Sequence, residues 1–148
     1  MKIFSKNLRE LILDKDISIA ELSKASRVSR VQISRYLHKN EIPTLKIANR
    51  LANYFDCSLD YLFGLSEDRS YPRYVSKEID LTKFLDKYQE ALRFREISNW
   101  KFCKNNNLSE SSMRHWRYGQ TPKIQSLCDI AFHLDTSIDY LVGRTDKA

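Results

Sequence analysis

Glycine and proline are scarce, with three of each in 148 residues. A chain this poor in turn formers is ill suited to a β sandwich, whose short strands need turn signals at regular intervals. Cysteine is sparse too. Cys57, Cys103 and Cys128 are odd in number and lack CxxC spacing, which disfavours a disulfide framework and leaves free thiols in a reducing compartment as the simplest reading. His38, His115 and His133 have no metal-ligand spacing with one another or with a cysteine, so neither a metal nor a cofactor is expected. No apolar run approaches the ~18 residues needed to span a bilayer. The opening Met1-Lys2-Ile3-Phe4-Ser5 turns polar at once, unlike a secretory leader. The expectation is a cytoplasmic protein with no membrane partner. No paired carboxylates, nucleophile–base set or Gly-rich phosphate loop sits in a recognisable frame, so an enzyme is not expected.

What is present points to helix and to an anionic partner. Apolar residues make up 42% of the chain, enough for a packed core, and long stretches of Leu, Ile, Ala, Lys and Glu favour helix. The formal net charge is +6. Residues 1–66 carry 11 basic and 7 acidic groups, residues 67–80 carry 3 and 4, and residues 81–148 carry 11 and 8. Both ends are basic and the middle is not. Such a balance suits nucleic acid; a surplus kept for solubility would give the same count.

Self-similarity is the most informative feature. Asp56-Cys57-Ser58-Leu59-Asp60-Tyr61-Leu62-Phe63-Gly64 returns as Asp135-Thr136-Ser137-Ile138-Asp139-Tyr140-Leu141-Val142-Gly143, an offset of 79 that also pairs Pro43 with Pro122 and Ala52 with Ala131. Upstream the offset becomes 80, pairing Phe4 with Phe84, Glu10 with Glu90, Ile17-Ser18 with Ile97-Ser98, Lys24 with Lys104 and Ser29 with Ser109. One residue is therefore missing from the second copy, between its third helix and Pro122. Register kept on both sides of a single deletion argues for duplication, and the Asp60/Asp139 match reads as a recurrent fifth-helix motif.

Each copy reads as five short helices. In the first, Phe4, Leu8, Leu11 and Ile12 form a stripe. Ser18 with Glu21 is a capping box opening a second helix, with Leu22 and Ala25 inward. Ser29 with Gln32 opens a third, with Ile33, Tyr36 and Leu37 inward. Pro43-Thr44 opens a fourth, with Ile47, Leu51 and Phe55 inward, and Ser58 caps a fifth that ends at Gly64. The second copy places Phe84, Tyr88 and Leu92, then Phe102, then Met113 and Trp116, then Leu127, Ile130 and Leu134, then Ile138 and Leu141 at matching points. The expected fold class is all-α, with domains at 1–66 and 81–148. Residues 67–80 form a polar linker that Pro72 keeps out of helix and whose aromatics pack on a domain.

In the first copy only Ser26-Arg27-Val28-Ser29 separates the second and third helices, the short connection of a helix-turn-helix. With Ile33, Tyr36 and Leu37 in the core, Arg30, Val31, Ser34, Arg35 and His38 face outward. Arg reads guanine bidentately and Val can meet a thymine methyl. The helix starts at Ser18 and Ser29 offer backbone N–H groups to phosphates, and Lys39, Asn40 and Lys46 flank the motif. An ordinary solvated helix face would show the same charges.

The run Val28-Ser29-Arg30-Val31-Gln32-Ile33-Ser34-Arg35-Tyr36, followed by Pro43 and Ser58-Leu59-Asp60-Tyr61-Leu62-Phe63-Gly64, resembles the Cro/C1-type (XRE) helix-turn-helix family of phage and bacterial repressors. The resemblance covers residues 4–64 and, more weakly, 84–143. It implies two tandem five-helix lambda-repressor-like domains and a sequence-specific regulator, a repressor, bound to double-stranded DNA. It places base reading at Arg30, Val31, Ser34 and Arg35, with phosphate contacts at Ser18, Ser29, Gln32, His38, Lys39, Asn40 and Lys46. Family members often carry Gln at the second position of the second helix, where this chain has Ile19 and Asn99. Many also pair a third-helix Glu with a first-helix Arg; Leu37 and Arg117 stand in that place.

The second copy departs further. Its candidate contact residues are Glu110, Ser111, Arg114, His115, Arg117 and Lys123. Glu110 can accept from cytosine N4 but repels phosphate. Asn105-Asn106-Asn107 forms a polar turn, and Trp100 lies outside the apolar pattern. A second DNA reader and a dimerisation or effector-contact domain both stay open, so a homodimer is an expected partner arrangement alongside DNA. The competing function is a protein-interaction module on the same fold, an antitoxin or a partner of another regulator.

Overall fold

The computed structural model describes residues 1–146; Lys147 and Ala148, the end of the expected second domain, lie outside the described residues. The fold is all-α, with ten helices and no strand among the described residues. The first half holds α1 (Lys2–Lys15), α2 (Ile19–Ser26), α3 (Arg30–His38), α4 (Leu45–Phe55) and α5 (Leu59–Leu62). The second holds α6 (Phe84–Phe94), α7 (Asn99–Asn105), α8 (Ser112–Arg117), α9 (Ile124–His133) and α10 (Ile138–Leu141). No helix among the described residues is long and apolar enough to cross a membrane.

The starts follow from hydroxyl caps that satisfy otherwise orphaned N–H groups. Ser18 accepts from Glu21 N while the Glu21 carboxylate accepts from Ser18 N, a complete capping box. Ser29, Thr44, Ser58, Ser98 and Ser137 cap α3, α4, α5, α7 and α10 with the hydroxyl half of that arrangement, each accepting from the backbone N–H three residues on. At Ser29 the box is half made, because Gln32 Oε1 accepts from the Ser29 hydroxyl instead of its backbone.

The ends follow from left-handed residues, and these mark the repeat. Positive φ falls at Asp16, Arg27, Asn40, Asp56 and Gly64, and again at Glu96, Asn107, Gly119, Asp135 and Gly143. Asn40 and Gly119 already stand 79 apart, while the core rings Tyr36 and Trp116 still stand 80 apart. The missing residue therefore lies in the last turn of α8 and the residues just after it, before Gly119. Glycine serves at 143 for two reasons: φ is +82°, and a Cβ would come within 2.7 Å of the Asp80 carbonyl oxygen.

Phe4 stacks on Phe63 at 5.2 Å and meets Tyr36 edge-on at 5.5 Å. Its counterpart Phe84 meets Trp116 edge-on at 5.1 Å, and Tyr88 packs edge-on to Trp116 and Phe102. Most apolar positions expected inside are buried; Ile12, Ile47, Phe55, Met113 and Trp116 are half-buried. Ala25 is a correction: it is exposed, and the next residue, Ser26, turns inward instead, its hydroxyl donating to Leu22 O at 2.6 Å. That back-bond satisfies the hydroxyl inside the helix, so a small polar residue fits where an apolar one was expected.

The halves share one continuous core and meet at their fifth helices. Asp60 accepts from the N–H groups of Ile138 and Asp139 at 3.0 and 3.1 Å, and Asp139 accepts from those of Leu59 and Asp60 at 3.3 and 3.1 Å. Each aspartate thus holds the N-terminus of the other half's fifth helix, where backbone dipoles favour a carboxylate. Both are buried. Burial, then Asp139 beside it, pushes the Asp60 carboxyl well above the ordinary range. Arg144, fully buried, sets its Nε 3.3 Å from Asp139 Oδ1 and donates to Asn49 Oδ1 and Cys57 O in the first half.

The segment 67–80 forms no helix and is pinned to both halves. Arg69 O accepts from Ser58 N, and Lys77 O accepts from the Asn49 and Asn53 amides. Val75 N donates to Arg144 O and Asp80 N to Val142 O. Of its aromatics, Tyr74 packs beneath the Arg144 guanidinium at 4.8 Å, and Tyr71 stays exposed.

Candidate nucleic-acid interface

The turn between α2 and α3 is built around one apolar anchor. Val28 is buried, so Arg27 before it and Ser29 after it face out, and Arg27 takes the left-handed conformation that ends α2. Ile33, Tyr36 and Leu37 bury one face of α3. The 3.6-residue period then sends Arg30, Val31 and Arg35 to solvent, with Ser34 half-buried between them. Val31 is 61% exposed, an apolar side chain offered to water with no packing reason. Arg35 lies 4.0 Å from Glu41, both about half exposed, a contact that leaves its guanidinium free to turn outward. The four expected base-reading residues therefore share one side of one helix.

The flanking residues surround that side. Gln32 is half-buried at the first turn of α3; His38, Lys39 and Asn40 are exposed at its end; Lys46 is exposed on the first turn of α4. The Ser18 N–H is engaged by Glu21, and the cap hydroxyls of Ser18 and Ser29 are engaged with Glu21 N and Gln32 N. These two serines fix the helix ends before any ligand arrives. Basic groups from α1, absent from the sequence reading, add to the surface. Lys2, Lys6 and Arg9 line an open groove of about 460 Å³ with His38 and Asn40. The helical stripe of α1 left these residues on its outer side, and only the fold shows that this side adjoins the end of α3.

Arg9 also settles a departure. Where a third-helix Glu was lacking, Arg9 donates to the backbone carbonyl of Leu37 at 2.7 Å, joined by the Ser5 hydroxyl at 3.0 Å. The tie between α1 and α3 is kept by a carbonyl that any residue supplies.

The second half presents a thinner version. α8 starts at Ser112, so Glu110 and Ser111 sit in the turn before it and not on the helix. Ser109 uses its hydroxyl on Ser111 and caps nothing. Arg114, His115 and Arg117 are exposed on α8, and Lys123 is exposed at the start of α9. Trp100, 53% exposed, carries the Lys104 ammonium 4.9 Å above its ring. No α8 side chain is fully buried. Burial raises the thiols of Cys57 and Cys128 to about 12 and also raises Cys103, which favours the protonated thiol at all three free cysteines.

Residues 8–62, from the second turn of α1 to the end of α5, match the family model described as Helix-turn-helix. No curated protein and no solved structure matches the chain.

Proposed function

We propose that this protein is a sequence-specific DNA-binding regulator, acting as a repressor, in which residues 1–66 form the reading domain, 67–80 a linker and 81–148 a second, divergent helix-turn-helix domain. The observation that carries the reading is the outward face of α3: Arg30, Val31, Ser34 and Arg35 together on one side of a short helix held by a capped, anchored turn. Two guanidiniums supply bidentate donors for guanine, and the exposed Val31 suits a thymine methyl. Exposed His38, Lys39, Asn40 and Lys46 hold the phosphates on either side, with Lys2 and Lys6 of α1 next to them. The match of residues 8–62 to a helix-turn-helix family supports the same reading. A protein-docking face would call for an apolar patch where α3 carries arginines.

Selection of bound duplexes from a random pool by the full chain, at several stated salt concentrations, tests the proposal. An enriched motif is expected, with affinity falling as salt rises by about 0.9 in log–log slope per phosphate contact. Arg30→Ala and Arg35→Ala are each expected to lose about 1–3 kcal/mol of discrimination at one position of that motif, with unchanged circular dichroism. No enrichment and a flat salt response would favour the protein-interaction reading.

A further inference from the structure

The two halves touch through parts that are counterparts of each other. Asp60 meets the start of α10 while Asp139 meets the start of α5. The segment Ile42–Leu45 that leads into α4 faces Thr121–Gln125, which leads into α9, across a groove of about 290 Å³. When each element meets its own counterpart, the contact is that of a two-fold dimer. Here it closes within one chain. α3 ends at His38, shortly before the first segment, and α8 ends at Arg117, shortly before the second. The C-terminal ends of the two third helices therefore each lie four residues along the chain from one shared junction.

Their exposed side chains are not alike. α3 shows Arg30, Val31 and Arg35, and α8 shows Arg114 and His115 behind a turn that carries Glu110. Around α8 the exposed Lys101, Lys104, Arg117 and Lys123 supply cations suited to a phosphate backbone. A DNA site matched to such a pair has no need to be palindromic.

Resting on the DNA reading proposed above, we infer that a single chain occupies one composite duplex site of two unlike halves about one helical turn, roughly 34 Å, apart. α3 reads the first half by its base edges. α8 docks on the second through Arg114, His115 and backbone contacts, giving affinity by tethering more than by sequence. The paired arrangement expected between two chains is made inside one.

The test uses the full chain and the duplexes enriched from the random pool. The expected result is one chain per duplex by sedimentation, with two unlike protected segments in a cleavage footprint. Inserting about five base pairs, half a turn, between them turns the segments to opposite faces and should cut affinity about a hundredfold, the scale of a lost tether. Arg114→Ala should weaken protection of the second segment alone, and Arg30→Ala should alter base preference in the first alone. Two chains on a palindrome, or one protected segment indifferent to the insertion, would overturn the inference and leave the DNA reading standing. No enriched motif would remove the DNA reading, and this inference with it.

Discussion

The third helices of the two halves stand in equivalent places and are built differently. α3 has nine residues, a capped start and three buried side chains; α8 has six residues, no side-chain cap and none fully buried. The difference starts at the cap. Ser29 has Gln32 three positions on, which returns its hydrogen bond, whereas Ser109 has Ser112 there and turns to Ser111 instead. Short helices gain little from their own hydrogen bonds, so a lost cap costs them a turn. The fifth helices, by contrast, share their length, their serine cap and the Asp-Tyr-Leu run, and each is held by a carboxylate from the other. Constraint is concentrated where the halves meet and relaxed on the outer face of one of them.

The sharpest way to break this comparison lies at the aspartates, which are equivalent in position and unequal in surroundings. Asp139 faces Arg144, and the counterpart of Arg144 in the first half is Leu65. Asp139→Ala strips two N–H groups and strands a buried guanidinium, and is expected to cost about 3–5 kcal/mol. Asp60→Ala strands N–H groups only and should cost less, about 1–3 kcal/mol. Equal losses in urea unfolding would show that Arg144 does not make the pair unequal.

A graded effect should appear with pH. Burial and the neighbouring Asp139 raise Asp60 from 3.8 to about 8 in the folded chain. A raised carboxyl stabilises the fold fully below the unfolded value and loses that contribution as pH climbs through the folded one. Stability should therefore fall between about pH 4 and about pH 8, and Asp60→Asn should flatten the slope. Urea midpoints that rise across that window would contradict a raised Asp60 carboxyl.

The smallest effect sharpens the third-helix contrast. Ser29→Ala is expected to cost about 1 kcal/mol through the lost cap. Ser111→Ala, at an exposed hydroxyl that caps nothing, should leave the thermal midpoint unchanged within error. A comparable loss from both would mean that α8 is held more firmly than its geometry shows.

Most of the architecture was legible in the sequence because its signals are local. Serines three residues ahead of Glu or Gln, a proline before a helix and a repeated Ser-x-Asp-Tyr-Leu-x-Gly segment specify starts and stops without tertiary information. The outward set on α3 followed from period alone once Ile33, Tyr36 and Leu37 were placed inside. What was not legible is what joins distant residues. Asp60 and Asp139 read as a recurring motif, although an acid between Leu59 and Tyr61 on a short buried helix has no local partner, and that absence was a signal. Arg144 gave none: Asp139 lies five residues before it, but the groups its guanidinium donates to, Asn49 and Cys57, lie in the other half. Ala25 was misplaced because α2 bonds its inward serine to its own backbone, a choice periodicity does not see.

The reciprocal aspartates join residues 79 apart on one chain, so their meeting has no concentration in its equilibrium. Two separate subunits that meet through such a contact come apart on dilution, and the concentration of pairs rises with the square of the free subunit level. A pair closed within one polypeptide is unimolecular and holds at any dilution the fold itself survives. Whatever this surface binds, its occupancy should then follow protein abundance in simple proportion at low levels, without the threshold that an assembling dimer introduces.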